Sequence, residues 1–180
     1  MRHEMRILPK HRYAMEDIFD IYRLRAQMHE KKNFCNARFP IDMEIDQYDE
    51  LDPYYLYVKN EKGIFCSCLR LLPTSGPYML KDLFPQLLGE MPPPHDRKVW
   101  ELSRFVVFQN KNICEFDKEL AVEIMREIIE FGIEHNVTHF VTAATTSLEQ
   151  VLMKSGVMVV RLSSAIRINT SYKVGLLIKV

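Results

Sequence analysis

Apolar residues recur along this chain at two different spacings. In residues 15–29 and 118–134 they return at every third or fourth position, which predicts two amphipathic helices. Shorter helices are expected over residues 78–88 and after Ser147, which would cap the second of them. Short runs of apolar or alternating residues predict strands. These runs cover residues 54–58, 64–71, 99–108, 139–145, 157–162 and 174–180.

The order of these elements predicts an α/β (α+β) fold. We expect a three-layer sandwich, in which helices cover both faces of a mixed, mostly antiparallel sheet. Strand 99–108, helix 118–134 and strand 139–145 would form a βαβ unit with parallel strands and a right-handed crossover. Residues 33–47 have no clean period and are expected to form a loop. Since no linker or repeat interrupts the chain, a single domain over residues 1–180 is expected.

The charged side chains balance, because 24 Lys and Arg face 24 Asp and Glu. A formal net charge of zero gives no support for binding to nucleic acid or to a membrane surface. No apolar run reaches the roughly 18 residues needed to span a bilayer, and the first residues do not resemble a secretion signal. The protein is therefore expected to be cytoplasmic.

The cysteines indicate neither a metal site nor a disulfide framework. Cys66 and Cys68 are two residues apart in an apolar run, which places both on one face of a strand. This spacing is not that of zinc ligands, and Cys35 and Cys114 add no recognisable pattern. We expect reduced cysteines, no metal and no cofactor.

Four charged residues interrupt segments that are otherwise apolar. Arg25 lies on the apolar stripe of the first helix, Arg70 ends an apolar strand, and Glu101 and Arg104 interrupt strand 99–108. A buried charge must be paired, because removing its partner costs about 3–5 kcal/mol. One short segment supplies the carboxylates expected to pair with the arginines. They are Glu44, Asp46 and Asp49.

Two interpretations of these charges stay open. They form either surface charges or a structural ion-pair network, or they bind a charged or zwitterionic substrate. Glu101 and Arg104 would point to opposite faces of an ideal strand, because side chains alternate. A β-bulge between them would direct both into one cleft, and bulges are frequent beside active sites.

A set of short segments follows one order along most of the chain, from about Tyr22 to Gly156. The segments are Leu24-Arg25-Ala26-Gln27, Met43-Glu44-Ile45-Asp46, Tyr48-Asp49, Cys68-Leu69-Arg70, Gly76-Pro77-Tyr78-Met79-Leu80, Phe84-Pro85 and Trp100-Glu101-Leu102-Ser103-Arg104-Phe105. Each is weak alone, but in this order they resemble the acyl-homoserine-lactone synthase (autoinducer synthase) family. The resemblance implies an acetyltransferase-like fold.

The resemblance also implies an activity. Members of this family make N-acyl-homoserine lactones, which are quorum-sensing signals, from S-adenosylmethionine and acylated acyl carrier protein. The methionine amine attacks the acyl thioester, and the methionine carboxylate then displaces methylthioadenosine and closes the lactone. Glu101 would be the general base, acting through a water. Ser103 and Arg104 would complete the catalytic segment, and backbone N–H groups after Arg104 would hold the thioester oxygen.

The resemblance further implies where the substrates bind. The substrate-binding residues would be Arg25, His29, Phe34, Cys35, Asp46, Asp49, Arg70, Phe105, Val106, Thr142 and Ala144. An acyl tunnel is expected where strands 99–108 and 139–145 splay. Its walls would include Leu69, Met79, Leu102, Phe105, Met125, Thr142, Ala144, Leu148 and Leu152, each of which also fits an ordinary core. Ala144 stands where family members that prefer 3-oxo chains often carry Thr, which favours an unsubstituted or 3-hydroxy chain.

The acyl donor is inferred from a missing feature. Acetyltransferases that bind coenzyme A usually hold its pyrophosphate with a Gly-rich loop at a helix N-terminus. The corresponding link here, Gln109 to Asp117, contains no glycine, which favours a carrier protein as donor. Lys118, Arg126 and Lys154 are candidate contacts for that acidic partner, or solvated helix residues.

Three positions depart from the family pattern. His29 stands where Phe is usual, Cys35 where Trp is usual, and Ser67 where glycine is usual. The two missing aromatic residues belong to the adenosylmethionine-binding region, where a Trp contributes about 0.5–2 kcal/mol of cation–π energy. Two alternatives therefore stay open. One is an N-acyl amino acid synthase with a carrier-protein donor, and the other is a catalytically impaired domain that binds acyl chains or carrier protein.

Overall fold

The computed structural model describes residues 3–32, 42–107 and 117–180, with the side chains of residues 28–32 left undescribed. The strands are β1 (Glu4–Pro9), β2 (Tyr54–Lys59), β3 (Phe65–Pro73), β4 (Val99–Val107), β5 (His139–Thr145), β6 (Met158–Arg161), β7 (Ile166–Ile168) and β8 (Ser171–Lys179). The α-helices are α1 (Met15–Lys32), α2 (Met79–Leu83), α3 (Lys118–Glu134) and α4 (Thr146–Lys154). Short 3₁₀ turns cover Lys10–Arg12, Gln47–Glu50 and Pro85–Leu88.

The chain divides into two compact units. The first unit contains Met1–Leu71 and Arg104–Asp117, and the second contains Leu72–Ser103 and Lys118–Val180. Strands β3 and β4 contribute residues to both units. The single domain expected over residues 1–180 stays a prediction.

The first unit is built on antiparallel strands and helix α1. Strand β1 pairs with β2, and β2 pairs with β3, with Leu56 opposite Leu69. The stripe of α1 that repeats every three or four residues packs on this sheet. The buried cluster contains Ile18, Ile21, Tyr22, Leu24, Tyr55, Tyr57, Cys68 and Val106. Arg25 is part of the same stripe, so the fold forces its charge into the interior.

The second unit contains the predicted βαβ arrangement. Strands β4 and β5 run parallel, and α3 begins and ends where the sequence predicts. The apolar residues that recur along this helix at every third or fourth position are buried, together with a glycine near its end. They are Ala121, Ile124, Met125, Ile128 and Gly132. Strand β8 then pairs antiparallel with β5, β6 and β7. The α/β class with a mostly antiparallel sheet is therefore confirmed.

The structure corrects two predicted helix boundaries. The helix expected over residues 78–88 is wrong in its second half, because Pro85 has no N–H to donate and a 3₁₀ turn follows it. Thr145, not Ser147, caps α4, and its Oγ1 accepts a hydrogen bond of 3.2 Å from the N–H of Leu148. Gly156 follows the helix with a φ of 86°, the left-handed conformation that often terminates a helix.

Two strands have no counterpart in the prediction. Strand β1 is only half buried and β7 is three residues long, so neither produces a clear apolar run. Among the described residues, no helix is long and apolar enough to cross a membrane.

Gly175→Ala is expected to destabilise the protein by roughly 1–3 kcal/mol. A Cβ at Gly175 in β8 would lie 1.9 Å from the carbonyl oxygen of Leu87, so the backbone would have to shift. Urea unfolding measures the change. Gly76→Ala is the matched control, because a Cβ there meets nothing within 4 Å. Equal stabilities of the two variants would contradict this account.

Candidate active site

Three arginines meet three carboxylates in the first unit. The arginines are Arg25, Arg70 and Arg104, and the carboxylates are Glu44, Asp46 and Asp49. We call this set the ion-pair network. The pairing predicted from the sequence is confirmed, since every arginine bonds to carboxylates of residues 44–49. Three positive and three negative side chains leave the ion-pair network formally neutral.

Asp49 is the centre of the network. Its Oδ1 accepts hydrogen bonds from Arg25 Nη1 at 2.8 Å and from Arg70 Nη1 at 2.7 Å. The same oxygen accepts a bond from the Tyr55 hydroxyl at 2.6 Å, and Oδ2 accepts one from the N–H of Asp46 at 2.8 Å. The carboxylate is fully buried, so these donors replace the water that it has lost.

Asp46 bridges the interior and the surface. Its Oδ1 is 2.5 Å from Arg70 Nη1, while its Oδ2 accepts from Arg104 Nη2 at 2.7 Å. Glu44 Oε1 is 2.7 Å from the same Arg104 nitrogen. Asp46 and Asp49 also form a capping box that begins the turn Gln47–Glu50. The segment that carries the carboxylates is thus ordered by the arginines and by its own backbone.

Exposure divides the network into an inner and an outer set. The side chains of Arg25, Asp49 and Arg70 are at most 1 % exposed, whereas those of Glu44, Asp46 and Arg104 are 15–19 % exposed. The inner set therefore fits the interpretation as a structural ion-pair network, and the outer set lies closer to the surface of the first unit.

The network shifts the pKa values of Asp49 and Arg25 in the directions that keep both side chains charged. Burial by itself raises the pKa of the Asp49 carboxyl, but Arg25, Arg70 and Tyr55 together lower it to about 2. Burial likewise disfavours charge on Arg25, yet its bonds to Asp49 and Glu44 raise its pKa. The bond from the Tyr55 hydroxyl could not be predicted from the sequence, because Tyr55 lies in an aromatic strand whose residues all fit a core.

Glu101 lies in the second unit and is 1 % exposed. Its Oε2 accepts a hydrogen bond from the N–H of Met79 at 3.0 Å, and its Oε1 accepts one from Leu80 at 2.5 Å. These N–H groups begin α2, whose N-cap residue Tyr78 makes no side-chain capping bond. Glu101 therefore caps α2, and the two N–H groups hold its carboxylate in one position.

The backbone of β4 is irregular at Arg104. Its φ is 57°, in the left-handed region that residues other than glycine rarely adopt. A residue in this conformation interrupts the alternation of side chains along a strand. The sequence predicted such an interruption, because Glu101 and Arg104 would otherwise point to opposite faces of the strand. That they share one cleft stays a prediction. Ser103, the third predicted catalytic residue, lies between Glu101 and Arg104 in the sequence, and its side chain is buried.

Strands β4 and β5 pair over a short distance. The parallel register runs from Val99 opposite His139 to Glu101 opposite Val141. The sequence predicted that these strands splay, and most predicted wall residues of the second unit are buried. The buried ones are Leu102, Met125, Thr142, Ala144 and Leu152, while Met79 and Leu148 are half buried. Leu69, Phe105 and Val106 belong to the first unit. The tunnel itself stays a prediction.

The structure describes some of the remaining predicted site residues fully, some only in their backbone, and some not at all. Phe34 and Cys35 lie outside the described residues, and the side chain of His29 is undescribed although its backbone is part of α1. Lys118, Arg126 and Lys154 are exposed on α3 and α4.

Two of the four cysteines are described, and both are buried free thiols. Burial raises the pKa of Cys66 to about 11 and that of Cys68 to about 12, so both are neutral. The expectation of reduced core cysteines is confirmed for these two. No cluster of metal-ligating side chains occurs in residues 3–32, 42–107 and 117–180.

Comparison with known proteins gives the family. The model of the family described as autoinducer synthase matches residues 10–178. The chain belongs to the autoinducer synthase family. An acyl-homoserine-lactone synthase of Pseudomonas aeruginosa is 31 % identical to this synthase over 163 residues, which cover 89 % of this chain and 81 % of that relative. The predicted acyltransferase activity, acyl-homoserine-lactone synthesis, is therefore confirmed.

Solved structures agree with this assignment. The synthase LasI superposes with a TM-score of 0.88 at 29 % identity, covering 99 % of this chain and 90 % of that one. BjaI, a coenzyme A-dependent synthase solved with S-adenosylmethionine and isopentyl-coenzyme A, gives 0.81 at 22 % identity over 99 % and 83 %. An acyl-coenzyme A N-acyltransferase from Pseudomonas aeruginosa gives 0.63 at 13 % identity over 98 % and 99 %, which supports the acetyltransferase-like fold.

Asp49→Asn is expected to remove a contribution to stability that is present near neutral pH and is lost at acidic pH. The pKa of Asp49 in the folded protein, about 2, lies below the value of about 3.9 for an unfolded Asp. Ionised Asp49 therefore stabilises the fold fully above about pH 5, and this contribution of about 2–3 kcal/mol is lost progressively as the pH falls toward 2.

Urea unfolding of both proteins between pH 5 and pH 2 measures this effect. The stability difference between wild type and Asp49→Asn should shrink as the pH falls. Asp52→Asn controls for the loss of one acidic charge, because Asp52 is an exposed partner of His11. A difference between wild type and Asp49→Asn that is constant with pH would contradict the expectation.

Proposed function

We propose that this synthase makes an N-acyl-homoserine lactone from S-adenosylmethionine and an acylated acyl carrier protein. The observation that carries the proposal is the buried Glu101 carboxylate, held by two backbone N–H groups of α2. A carboxylate placed in this way suits a general base that must stay in position during turnover. Arg104, three residues later on the same strand, belongs to the partly exposed set of the ion-pair network.

The outer set of the network suits the head group of S-adenosylmethionine. This substrate carries an ammonium group and a carboxylate on one carbon. The partly exposed carboxylates of Glu44 and Asp46 fit the ammonium group, and the guanidinium of Arg104 fits the carboxylate. The inner set would position these side chains from behind. BjaI, solved with S-adenosylmethionine, supports this class of substrate.

The chemistry that we propose has two steps. Glu101, through a water, takes one proton from the substrate ammonium, and the resulting amine attacks the thioester carbonyl. The carbon–sulfur bond breaks, the second proton leaves on the carrier thiol, and an amide remains. The methionine carboxylate then attacks the γ-carbon, whose bond to sulfur breaks, and methylthioadenosine leaves with that electron pair. The lactone ring is closed in this second step.

Backbone N–H groups after Arg104 would stabilise the oxyanion of the first step. The left-handed conformation of Arg104 interrupts the regular backbone of β4 immediately before these N–H groups. The acyl chain would then lie against buried residues where β4 and β5 separate. Thr142 and Ala144 are two positions apart on β5, and both are buried. Because family members that prefer 3-oxo chains often carry Thr at the position of Ala144, we expect an unsubstituted or 3-hydroxy chain.

The donor is an acyl thioester, and we propose that a carrier protein presents it. Lys118, Arg126 and Lys154 are exposed on two helices of the same unit, as contacts for an acidic partner would be. BjaI is named as coenzyme A-dependent, so both kinds of donor belong in the test.

Glu101→Gln is expected to reduce lactone formation by about 100-fold or more, because the amide cannot accept the proton. The assay is mass spectrometry of products from S-adenosylmethionine with a panel of acyl carrier proteins and acyl-coenzyme A thioesters. Glu149→Gln is the matched control, since Glu149 is a buried carboxylate that pairs with Arg161. Urea unfolding checks that α2 and the fold survive, because Gln keeps only one of the two acceptors that cap α2.

The same panel separates the alternatives. Lactone from the wild type that is lost in Glu101→Gln supports the proposal, and its mass gives the acyl chain. If an N-acyl amino acid forms instead, and only when free amino acids are supplied, the protein is an N-acyl amino acid synthase. The departures at His29 and Cys35 are the reason for testing this alternative. Binding of the donor without any product would indicate a catalytically impaired domain.

Glu44→Gln is expected to raise the KM for S-adenosylmethionine about tenfold, because one charge that faces the substrate ammonium is removed. Glu44 belongs to the outer set, so stability should change by no more than about 1 kcal/mol. Glu50→Gln, an exposed neutralisation in the adjacent turn, is the control. An unchanged KM would remove Glu44 from the binding site.

A further inference from the structure

We propose that Ser67 is a positioning residue for the segment of β4 that holds the thioester oxygen. This inference rests on the proposed function, because it assigns a task to the backbone that follows Arg104. The Ser67 hydroxyl donates a hydrogen bond of 2.7 Å to the carbonyl oxygen of Val106. Both residues belong to the first unit, in which Ser67 lies on β3.

The surroundings of Ser67 make this bond strong. Ser67 is 0 % exposed and lies between two buried cysteines on β3. A buried hydroxyl without a partner is costly, so Ser67 is held to its acceptor, the Val106 carbonyl. Because water is excluded, the bond also competes with no solvent molecule. An alanine of nearly the same volume would fill the space but would leave the carbonyl without this donor.

The place of the bond on β4 gives it a specific consequence. Val106 follows Arg104 by two residues, and Arg104 has a φ of 57°. A left-handed residue that is not glycine persists only when its surroundings hold it. The N–H and the carbonyl of Val106 belong to one residue, so only the φ and ψ of Val106 separate them. Fixing the carbonyl therefore limits the directions in which the N–H groups of Phe105 and Val106 can point.

A donor aimed at an oxyanion must be correct to a few tenths of an ångström. Stabilisation of the tetrahedral intermediate depends on N–H groups that are already oriented before the reaction. Ser67 contributes no atom to the substrate, so its loss should change how well the transition state is stabilised and not how tightly S-adenosylmethionine binds. A purely structural hydroxyl would instead change only the free energy of unfolding.

The test is a graded series of variants at position 67, measured as kcat and KM in the lactone assay. Ser67→Ala removes the hydroxyl, Ser67→Cys replaces it with a weak donor, and Ser67→Thr keeps it. We expect kcat to fall about tenfold in Ser67→Ala, because the N–H groups that hold the oxyanion lose part of their orientation. The fall should be smaller in Ser67→Cys and smallest in Ser67→Thr, while both KM values stay within about twofold.

Thr74→Val is the matched control. Thr74 is also 0 % exposed, and its hydroxyl donates to the backbone carbonyl of Asp96 at 3.0 Å, in the second unit. Urea unfolding of all variants shows what each buried bond contributes to stability. Thr74→Val should lose stability and keep its kcat, whereas Ser67→Ala should lose kcat even at temperatures where it is fully folded.

The outcomes separate this inference from the proposed function. A wild type that makes lactone, with a kcat that follows the order Ser, Thr, Cys, Ala, supports the positioning role. An active wild type with an unchanged kcat in Ser67→Ala, or with a raised KM instead, overturns the role of Ser67 and leaves the synthase activity in place. A folded wild type that makes no lactone with any donor overturns the proposed function itself.

Discussion

The buried carboxylate of Asp49 is the interaction on which the first unit depends. Helix α1 brings Arg25 into the interior, and β3 brings Arg70, so two positive charges enter a space from which water is excluded. Neither arginine is tolerable there alone, because an unpaired buried charge costs several kcal/mol. Asp49 satisfies both through one oxygen and orders its own backbone segment through the other. Helix, sheet and carboxylate segment are thereby joined by a single side chain.

Asp49 in the ion-pair network and Glu101 are both buried carboxylates, and each is stabilised by a different kind of hydrogen-bond donor. Asp49 is held mainly by charged side chains, whereas Glu101 is held by the first N–H groups of a short helix. Charged partners suit a group that has to stay ionised. Backbone partners suit a group that must exchange a proton without losing its position, because the peptide N–H groups do not titrate. The two kinds of support match the two kinds of work that we propose for these residues.

Much of this arrangement was predictable from the sequence, for an identifiable reason. A charged residue among regularly spaced apolar residues is expected to be buried, so Arg25 and Arg70 required oppositely charged partners. Residues 44–49 contain the carboxylates that could pair with them. The boundaries of α3 and β5 followed from strong periodicity. What the sequence could not show were contacts without a pattern, such as the Tyr55 hydroxyl on Asp49 and the capping of α2 by Glu101. Such contacts depend on which buried groups meet in space, and no period or spacing in the sequence encodes that.

The formal neutrality of the ion-pair network has a consequence for how this protein can change during evolution. Any single replacement that alters the charge of Arg25, Arg70, Asp46 or Asp49 leaves an opposite charge stranded in the interior. Substitutions at these positions should therefore arise in compensating pairs. Segment 44–49 and the arginines of α1 and β3 would be inherited as one block, although they are far apart in the chain. A chimaera that exchanged this segment with a relative would fold only if the relative carried carboxylates at the same positions.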